Sequence, residues 1–118
     1  KIYMFFKLLV KSRNGKKLVV DFGYLACDYH TYMILGVQLA LQLNSESASA
    51  VIVGLGGGGL CTFLHKCFPK LSLTAIDIDS EMLNIAQKYF DFTCDDKLKV
   101  FIQDGLRFIR EAKEKGIC

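Results

Sequence analysis

An apolar strand that runs directly into a cluster of glycines constrains this chain more than any other feature. Ala50–Val53 is short and wholly apolar, five of the next six residues are glycine, and a helical pattern begins at Leu60. Glycines allow a sharp turn and let a ligand approach the backbone without Cβ collisions. The N-terminus of the following helix offers unpaired N–H groups and a partial positive charge. The segment therefore predicts a turn that binds a phosphate or a carboxylate, with Gly54, Gly56 and Gly58 as candidate binding residues.

Strand and helix patterns alternate three times between residue 50 and the end of the chain. Short apolar runs of strand length are separated by apolar residues at helical spacing. The predicted strands are Ala50–Val53, Ser72–Ile76 and Leu98–Ile102, and the predicted helices are Leu60–Phe68, Glu81–Phe90 and Leu106–Lys115. Such alternation implies right-handed βαβ units, so the predicted fold is α/β, a Rossmann-like doubly wound parallel sheet.

The first 43 residues have a different pattern, typical of a β-hairpin followed by a helix. Residues 2–10 and 17–22 are rich in Val, Phe and Leu and flank the turn Ser12-Arg13-Asn14-Gly15, whose Asn-Gly pair favours a tight hairpin. Apolar residues at helical spacing predict a helix over residues 29–43. The polar run 44–49 predicts a linker, which divides the chain into residues 1–43 and residues 44–118.

An aspartate follows the second strand of the predicted sheet. Asp77 is the first residue after the apolar run, and parallel strands place their carboxyl ends together, so its carboxylate should lie beside the glycine turn. A carboxylate accepts two hydrogen bonds, which suits the paired hydroxyls of a ribose. Asp77 is therefore the predicted ribose-binding residue, although a simple turn role would give the same pattern. Asp79 or Ser80 is the predicted N-cap of the next helix.

The third predicted strand also ends in an acid, which Gly105 follows. Asp104 can accept a hydrogen bond from an adenine amino group, and Ile78 and Ile102 offer apolar surfaces to the two faces of a purine. An Asp-Gly pair alone is a common turn. Because it is the third such strand end in order, a binding role is favoured for Asp104, Gly105 and Ile78.

Composition favours one folded domain with one core, because the chain has 118 residues and 52% of them are hydrophobic. The net charge is +3 and the basic residues are scattered, which argues against nucleic acid as a partner. Five cysteines without a C-x-x-C pair, with only two histidines, argue against a metal site and for reduced thiols in the cytoplasm. Lys7 interrupts the apolar start of the chain, which is too short to span a membrane, so no membrane partner is expected.

Two cofactor classes fit the glycine cluster. Gly54, Gly56 and Gly59 satisfy the G-x-G-x-x-G pattern of nicotinamide-dinucleotide sites, and Asp77 falls near the distance expected there. The Asp-Gly pair that ends the third strand and the run Asp-Ile-Asp-Ser-Glu-Met-Leu over residues 77–83 favour a different class. Over residues 51–108 the three motifs, in this order, resemble the class I S-adenosylmethionine-dependent methyltransferases.

That resemblance implies S-adenosylmethionine as the cofactor. It makes Gly54–Gly58 the cofactor loop, Asp77 the acid that binds the ribose and Asp104 the acid that binds the adenine. The reaction expected of the family is in-line attack by an amine on the sulfonium methyl group. Such a reaction is catalysed mainly by positioning and by desolvation of the amine.

A narrower resemblance, to the spermidine-synthase-like subgroup, extends upstream. It rests on the hairpin with Leu18–Leu25, on the pair Tyr29-His30 and on the helix that contains Met33. Within the subgroup the chain is similar to methyltransferases of translation elongation factor one-alpha, which implies a protein substrate and methylation of its N-terminal amine. Aminopropyltransferases usually carry an aspartate within the glycine loop, and Gly57 stands there in this chain, which favours methyl transfer over polyamine synthesis. For His30 a core or capping role is predicted.

The chain stops at Cys118, after the third helix of the alternating region. The sheet is therefore expected to be truncated, with the catalytic residues beyond Cys118, and the fragment alone is expected to be inactive. No catalytic residue is predicted within the chain. Three functions stay open on the sequence: a protein methyltransferase fragment, a relative of the polyamine aminopropyltransferases, and a non-catalytic Rossmann-like binding domain.

Overall fold

After a first pair of antiparallel strands, the described backbone alternates between helices and strands. The computed structural model describes residues 10–13, 17–20, 28–43 and 48–115. The elements are, in order, β1 (Val10–Arg13), β2 (Lys17–Val20), α1 (Asp28–Leu43), β3 (Ala48–Val53), α2 (Gly59–Cys67), β4 (Leu71–Asp77), α3 (Ser80–Tyr89), β5 (Leu98–Ile102) and α4 (Gly105–Glu114). The α/β alternation predicted from residue 50 onward is therefore confirmed.

The second sheet is parallel and has the order β3-β4-β5, so β4 is its central strand. Val53 pairs with Ile76, and Asp77 pairs with Ile102, at the carboxyl ends of the strands. The pairing continues one residue further, because the Gly54 N–H donates to the Ile76 carbonyl at 2.7 Å. The carboxyl ends of all three strands therefore form one edge, as the βαβ pattern predicts.

One face of this sheet carries the core of the domain. Successive residues of a strand point to opposite faces, and in β4 the fully buried Leu73 and Ala75 share a face. The same core cluster includes Leu98 from β5, Cys61 from α2 and Ala86 from α3. On the opposite face several apolar side chains of β3 and β5 are about half exposed; they are Val51, Val53 and Phe101. The two faces of the sheet are thus covered unequally.

Helix α4 covers the carboxyl end of the more open face. The Phe101 and Phe108 rings lie 5.7 Å apart between centroids. A Cβ built on Gly105 would lie 2.5 Å from Cγ1 of Val53, so the backbone of α4 begins in contact with β3. Helix α1 packs against the core through three partly buried side chains, Ile34, Val37 and Leu41. The division of the chain at residue 44 stays a prediction.

The strand boundaries differ from those predicted by one to three residues, most at β1 and β3, while β4 extends one residue further at each end, to Leu71 and Asp77. Strand β1 includes Ser12 and Arg13, which were assigned to the hairpin turn, and Arg13 pairs with Lys17 in the antiparallel hairpin. Strand β3 begins at Ala48, inside the predicted linker, because it pairs with Leu71 at the start of β4. Backbone pairing determined both boundaries, and polar side chains do not prevent it. The predicted strand over residues 2–9, the turn at 14–16 and the linker at 44–47 lie outside the described residues.

The loop between α3 and β5, residues 90–97, packs against α2. The Phe92 ring is 2% exposed, and a Cβ built on Gly58 would lie 2.9 Å from its Cγ. Further along this loop, the Asp95 carboxylate accepts the N–H groups of Lys97 and Leu98 and lies 2.9 Å from the His65 imidazole. The loop therefore contacts both ends of α2, the N-cap through Phe92 and the last turn through Asp95.

Replacing Gly58 by alanine should lower the free energy of unfolding by about 2–5 kcal/mol. A left-handed backbone costs an L residue about 1–2 kcal/mol, and an added methyl group in a filled core costs about 1–3 kcal/mol. Gly59→Ala is the matched control, because a Cβ there meets nothing within 4 Å, and it should change stability by less than about 1 kcal/mol. Urea unfolding measures both variants, and equal losses would contradict the packing of Phe92 on Gly58.

Replacing Asp95 by asparagine should remove a pH-dependent part of the stability. The pKa of Asp95 lies below its ordinary value, first because the Lys97 N–H donates to it, with Leu98 and His65 adding to the effect. A lowered pKa contributes stability above the unfolded value of about 4, and this stability is lost as pH falls through the folded value. Thermal unfolding should therefore show a constant difference between wild type and Asp95→Asn above about pH 5 and a shrinking difference as the pH falls below about 4. Asp96→Asn is the exposed control, and a difference that is constant with pH would contradict the assignment.

Candidate functional site

The glycine turn between β3 and α2 depends on three residues with left-handed backbone. Gly54, Gly56 and Gly58 have φ angles of +96°, +55° and +75°. L residues rarely adopt such angles, so glycine is required at these positions for the turn to form. They are the three glycines that the sequence analysis selected as candidate binding residues.

Asp77 joins this turn to the end of β4. Its Oδ2 accepts the Leu55 N–H at 2.8 Å, and its Oδ1 accepts the Asp79 N–H at 3.0 Å. Asp79 in turn caps α3 by accepting the Glu81 N–H at 2.9 Å, so the predicted division of roles between the two aspartates is confirmed for the cap. Each oxygen of Asp77 keeps a lone pair for a further donor.

A cavity of about 410 Å³ opens at the carboxyl edge of the sheet. It brings together five of the seven predicted binding residues, namely Gly54, Asp77, Ile78, Asp104 and Gly105. The remaining lining residues are Val53, Ile76, Gln103, Leu106 and Ile109. Ile78 is 72% exposed and presents an apolar surface to this cavity. Ile102, which was expected on a purine face, is not among the lining residues.

Asp104 has a structural role as well as a position in the cavity. Its Oδ1 accepts the Arg107 N–H at 2.8 Å and thereby caps α4. The Asp-Gly pair therefore begins a helix, which is one of the roles that the sequence left open for it. The cap engages one carboxylate oxygen, and the side chain is exposed at the cavity, so capping and ligand binding are compatible.

Gln103 is a cavity residue that sequence reasoning missed. Its Nε2 donates to Glu111 at 3.1 Å, and Glu111 also accepts from Nε of Arg107 at 2.7 Å. The hydrogen bond from the Arg107 guanidinium, followed by that from Gln103, lowers the pKa of Glu111, which stays a carboxylate. No local pattern predicts a contact between residues eight positions apart across a strand end and a helix.

A second cavity, of about 200 Å³, lies on the other side of the glycine turn. Gly56 lines it together with Tyr29, His30 and Met33 of α1, and it shares Val53 and Gly54 with the first cavity. His30 is 7% exposed, and its buried Nδ1 has no hydrogen-bond partner. Burial lowers the pKa of His30, so the imidazole is neutral at neutral pH. The buried position of His30 agrees with its predicted core or capping role. The only sequence signal for a further role of this residue was the narrower family resemblance at Tyr29-His30.

The remaining candidates for a chemical role are Gly58, Cys61 and a metal-binding cluster of side chains. Gly58 lines neither cavity and lies against Phe92 instead. Burial raises the pKa of the Cys61 thiol to about 12, so this core cysteine is not a nucleophile. Among residues 28–42 and 48–115, no group of three His, Cys, Asp or Glu side chains is arranged to hold a metal ion. Within the same described part of the chain, no helix is long and apolar enough to cross a membrane.

The chain is similar over most of its length to methyltransferases that are several times longer. It is 42% identical over 112 residues to the eEF1A lysine and N-terminal methyltransferase homolog of Drosophila pseudoobscura pseudoobscura, a match that covers 92% of this chain and 16% of that protein. The chain therefore spans about one sixth of the length of this curated relative. The eEF1A in that name agrees with the substrate that the narrower resemblance implied.

Solved structures give the same fold. The crystal structure of human methyltransferase-like protein 13 in complex with SAH superposes with a TM-score of 0.68 at 40% identity, over 77% of this chain and 42% of that one. A probable spermidine synthase from Corynebacterium glutamicum has a TM-score of 0.63 at 13% identity, over 89% of this chain and 43% of that one, which shows the fold alone. The predicted Rossmann-like fold is thereby confirmed.

A family model covers nearly the whole described chain. The model of the spermine/spermidine synthase domain matches residues 27–116, so it includes α1, the glycine turn and both cavities. The predicted spermidine-synthase-like resemblance is confirmed by this match. The chain belongs to the spermine/spermidine synthase domain family.

Proposed function

We propose that this chain forms the S-adenosylmethionine-binding part of a methyltransferase that modifies the elongation factor eEF1A. The observation that carries the proposal is the cavity of about 410 Å³ in which the glycine turn, Asp77 and Asp104 meet. The methyltransferase names of the relatives and the SAH-bound structural neighbour support the same function. The proposed binding residues are Gly54, Gly56, Gly58, Asp77, Ile78, Asp104 and Gly105.

The first cavity suits the adenosine part of the cofactor. Asp77 is half-buried at the mouth of the glycine turn, and its free lone pairs can accept the two ribose hydroxyls. The carboxylate of Asp104 can accept the adenine amino group while it caps α4. Ile78 offers an apolar surface for one face of the purine. Together these contacts would select a nucleoside with an amino-substituted base.

The second cavity suits the methionyl part of the cofactor. It joins the first cavity at Gly54 and reaches Leu60 and Cys61 in the first turn of α2. The N-cap of α2 is Gly58, which has no side chain to cap the helix, so its N-terminal N–H groups and partial positive charge are available to a carboxylate. When bound, S-adenosylmethionine supplies the activated methyl group. The residues of this chain bind and orient it and exclude water from its apolar side.

The surroundings of Gly59 disfavour a nicotinamide-dinucleotide site. In the dinucleotide pattern the third glycine allows the helix to pack closely on the strand. A Cβ built on Gly59 would meet nothing within 4 Å, so no close packing requires glycine there. Close packing instead occurs at Gly58, one residue earlier, against Phe92. The local geometry therefore does not follow the G-x-G-x-x-G pattern.

Polyamine synthesis is the second candidate, because the family to which the chain belongs is named for it. The buried Gly57 disfavours it, since the aspartate that aminopropyltransferases usually carry at this position is missing. A non-catalytic binding domain would keep both cavities and transfer no group. We further propose a cytoplasmic location, in keeping with the free thiols of Cys61, Cys67 and Cys94 and with eEF1A as the substrate.

Asp77→Asn should weaken binding of S-adenosylhomocysteine about tenfold to a hundredfold in the full-length protein. Loss of one charge-assisted hydrogen bond to the ribose corresponds to about 1.5–3 kcal/mol. Asp79→Asn is the control, because asparagine is also a good N-cap and Asp79 does not line the cavity. Isothermal titration calorimetry measures both affinities. A larger loss for Asp79→Asn would show that the ribose acid is misassigned.

The same calorimetric assay tests the cofactor class. S-Adenosylhomocysteine should bind, and a millimolar excess of NAD should leave its affinity unchanged, because the geometry at Gly59 is not that of a dinucleotide site. Tight NAD binding without any S-adenosylhomocysteine signal would replace the proposal by the dehydrogenase alternative.

The transfer reaction can be measured directly with the full-length protein. Incubation with S-adenosylmethionine should add methyl groups to eEF1A, detected by intact-mass spectrometry of the N-terminal peptide. Incubation with decarboxylated S-adenosylmethionine and putrescine should yield no spermidine. Spermidine formation would favour the second candidate, and the absence of both products, with cofactor bound, would favour a binding domain.

A further inference from the structure

The Phe92 ring occupies the space in which a side chain at position 58 would lie. Phe92 is 2% exposed, and a Cβ built on Gly58 would lie 2.9 Å from Cγ and 3.0 Å from Cε2 of the ring. The ring therefore contacts the backbone of Gly58 directly, across 34 positions of sequence. It lines neither cavity, and its contact with the proposed binding residues is through Gly58.

Gly58 connects the glycine turn to the first turn of α2. Its N–H donates to the Leu55 carbonyl at 3.0 Å, which closes the turn. Its carbonyl accepts the Thr62 N–H at 2.8 Å, which begins the helix. As the N-cap with φ of +75°, Gly58 determines the direction in which the free N–H groups of α2 point. A displacement of this residue would move both the turn and the helix N-terminus.

The loop that carries Phe92 is anchored on two helices. The Phe92 N–H donates to the Ala86 carbonyl of α3 at 3.2 Å. The Asp95 carboxylate lies 2.9 Å from His65 of α2 and accepts the backbone N–H groups of Lys97 and Leu98. Asp91, the residue before Phe92, has a left-handed φ of +53°, at which the chain changes direction after α3. The ring is thus held against Gly58 from both sides.

We propose that Phe92 is a positioning residue for the cofactor: by packing on Gly58 it fixes the N-terminus of α2 for the methionyl carboxylate. The inference rests on the proposed function and adds a residue that no ligand-lining set contains. This role predicts a selective effect on binding, stronger for the methionyl part of the cofactor than for its adenosine part. Contacts to adenosine come from Asp77, Ile78 and Asp104, and the Phe92 ring does not line the cavity that contains them, so loss of the ring should affect mainly the methionyl end.

Two ligands separate this role from a general loss of structure. S-Adenosylhomocysteine carries the methionyl carboxylate, whereas 5′-methylthioadenosine has the same adenosine and sulfur without it. In the full-length protein, Phe92→Leu should weaken S-adenosylhomocysteine about tenfold by calorimetry, or about 1.4 kcal/mol. The affinity for 5′-methylthioadenosine should change less than about twofold. Phe92→Met, whose unbranched, flexible side chain is longer than that of leucine and can still reach Gly58, should lie between wild type and Phe92→Leu.

Leu73→Val is the matched control, because Leu73 is fully buried in the same core and lines neither cavity. Measured well below its melting temperature, it should bind both ligands like wild type. Equal losses for both ligands in Phe92→Leu, or no loss for either, would overturn the positioning role while leaving the proposed function intact. A wild-type protein that binds neither ligand would overturn both. If Phe92→Leu does not fold, the same comparison with Phe92→Met decides.

Discussion

The carboxylate of Asp77 is the contact on which the binding edge depends. It connects the glycine turn to the end of the central strand, by accepting the Leu55 N–H, and it connects that strand to the start of α3, by accepting the Asp79 N–H. Hydrogen bonds to an ionised acceptor are stronger than those between neutral groups. One side chain thus aligns the glycine turn and the end of β4, which line the first cavity, with the start of α3.

Local sequence patterns were sufficient where the structure is itself local. The alternation of apolar strands and amphipathic helices predicted β3, β4 and β5 with errors of a few residues, because each element buries its own periodic face. The choice of Gly54, Gly56 and Gly58 agrees with the positive φ angles found there. The cap at Asp79 was predicted for the same reason, since it involves a neighbour two residues away.

Contacts between distant segments were not predictable from the sequence. The bond between Gln103 and Glu111, and the packing of Phe92 on Gly58, depend on how elements are brought together in three dimensions. Asp104 shows a further limit, because its pattern fits a helix cap and a ligand contact equally well, and it occupies a position suited to both. Strand β1 extends to Arg13, past its predicted end at residue 10, because pairing with β2 rather than composition determines where it ends.

The central position of β4 also imposes an order on folding as the chain leaves the ribosome. Strand β3 precedes β4 and strand β5 follows it, so the first parallel pair can form while the other edge of β4 is still unpaired. That edge stays exposed until Leu98–Ile102 has been synthesised and α3 has crossed over the sheet. Parallel pairing is slow because it must first close such long connections. During translation, this is the interval in which the nascent chain is most exposed to misassembly and most needs the protection of chaperones.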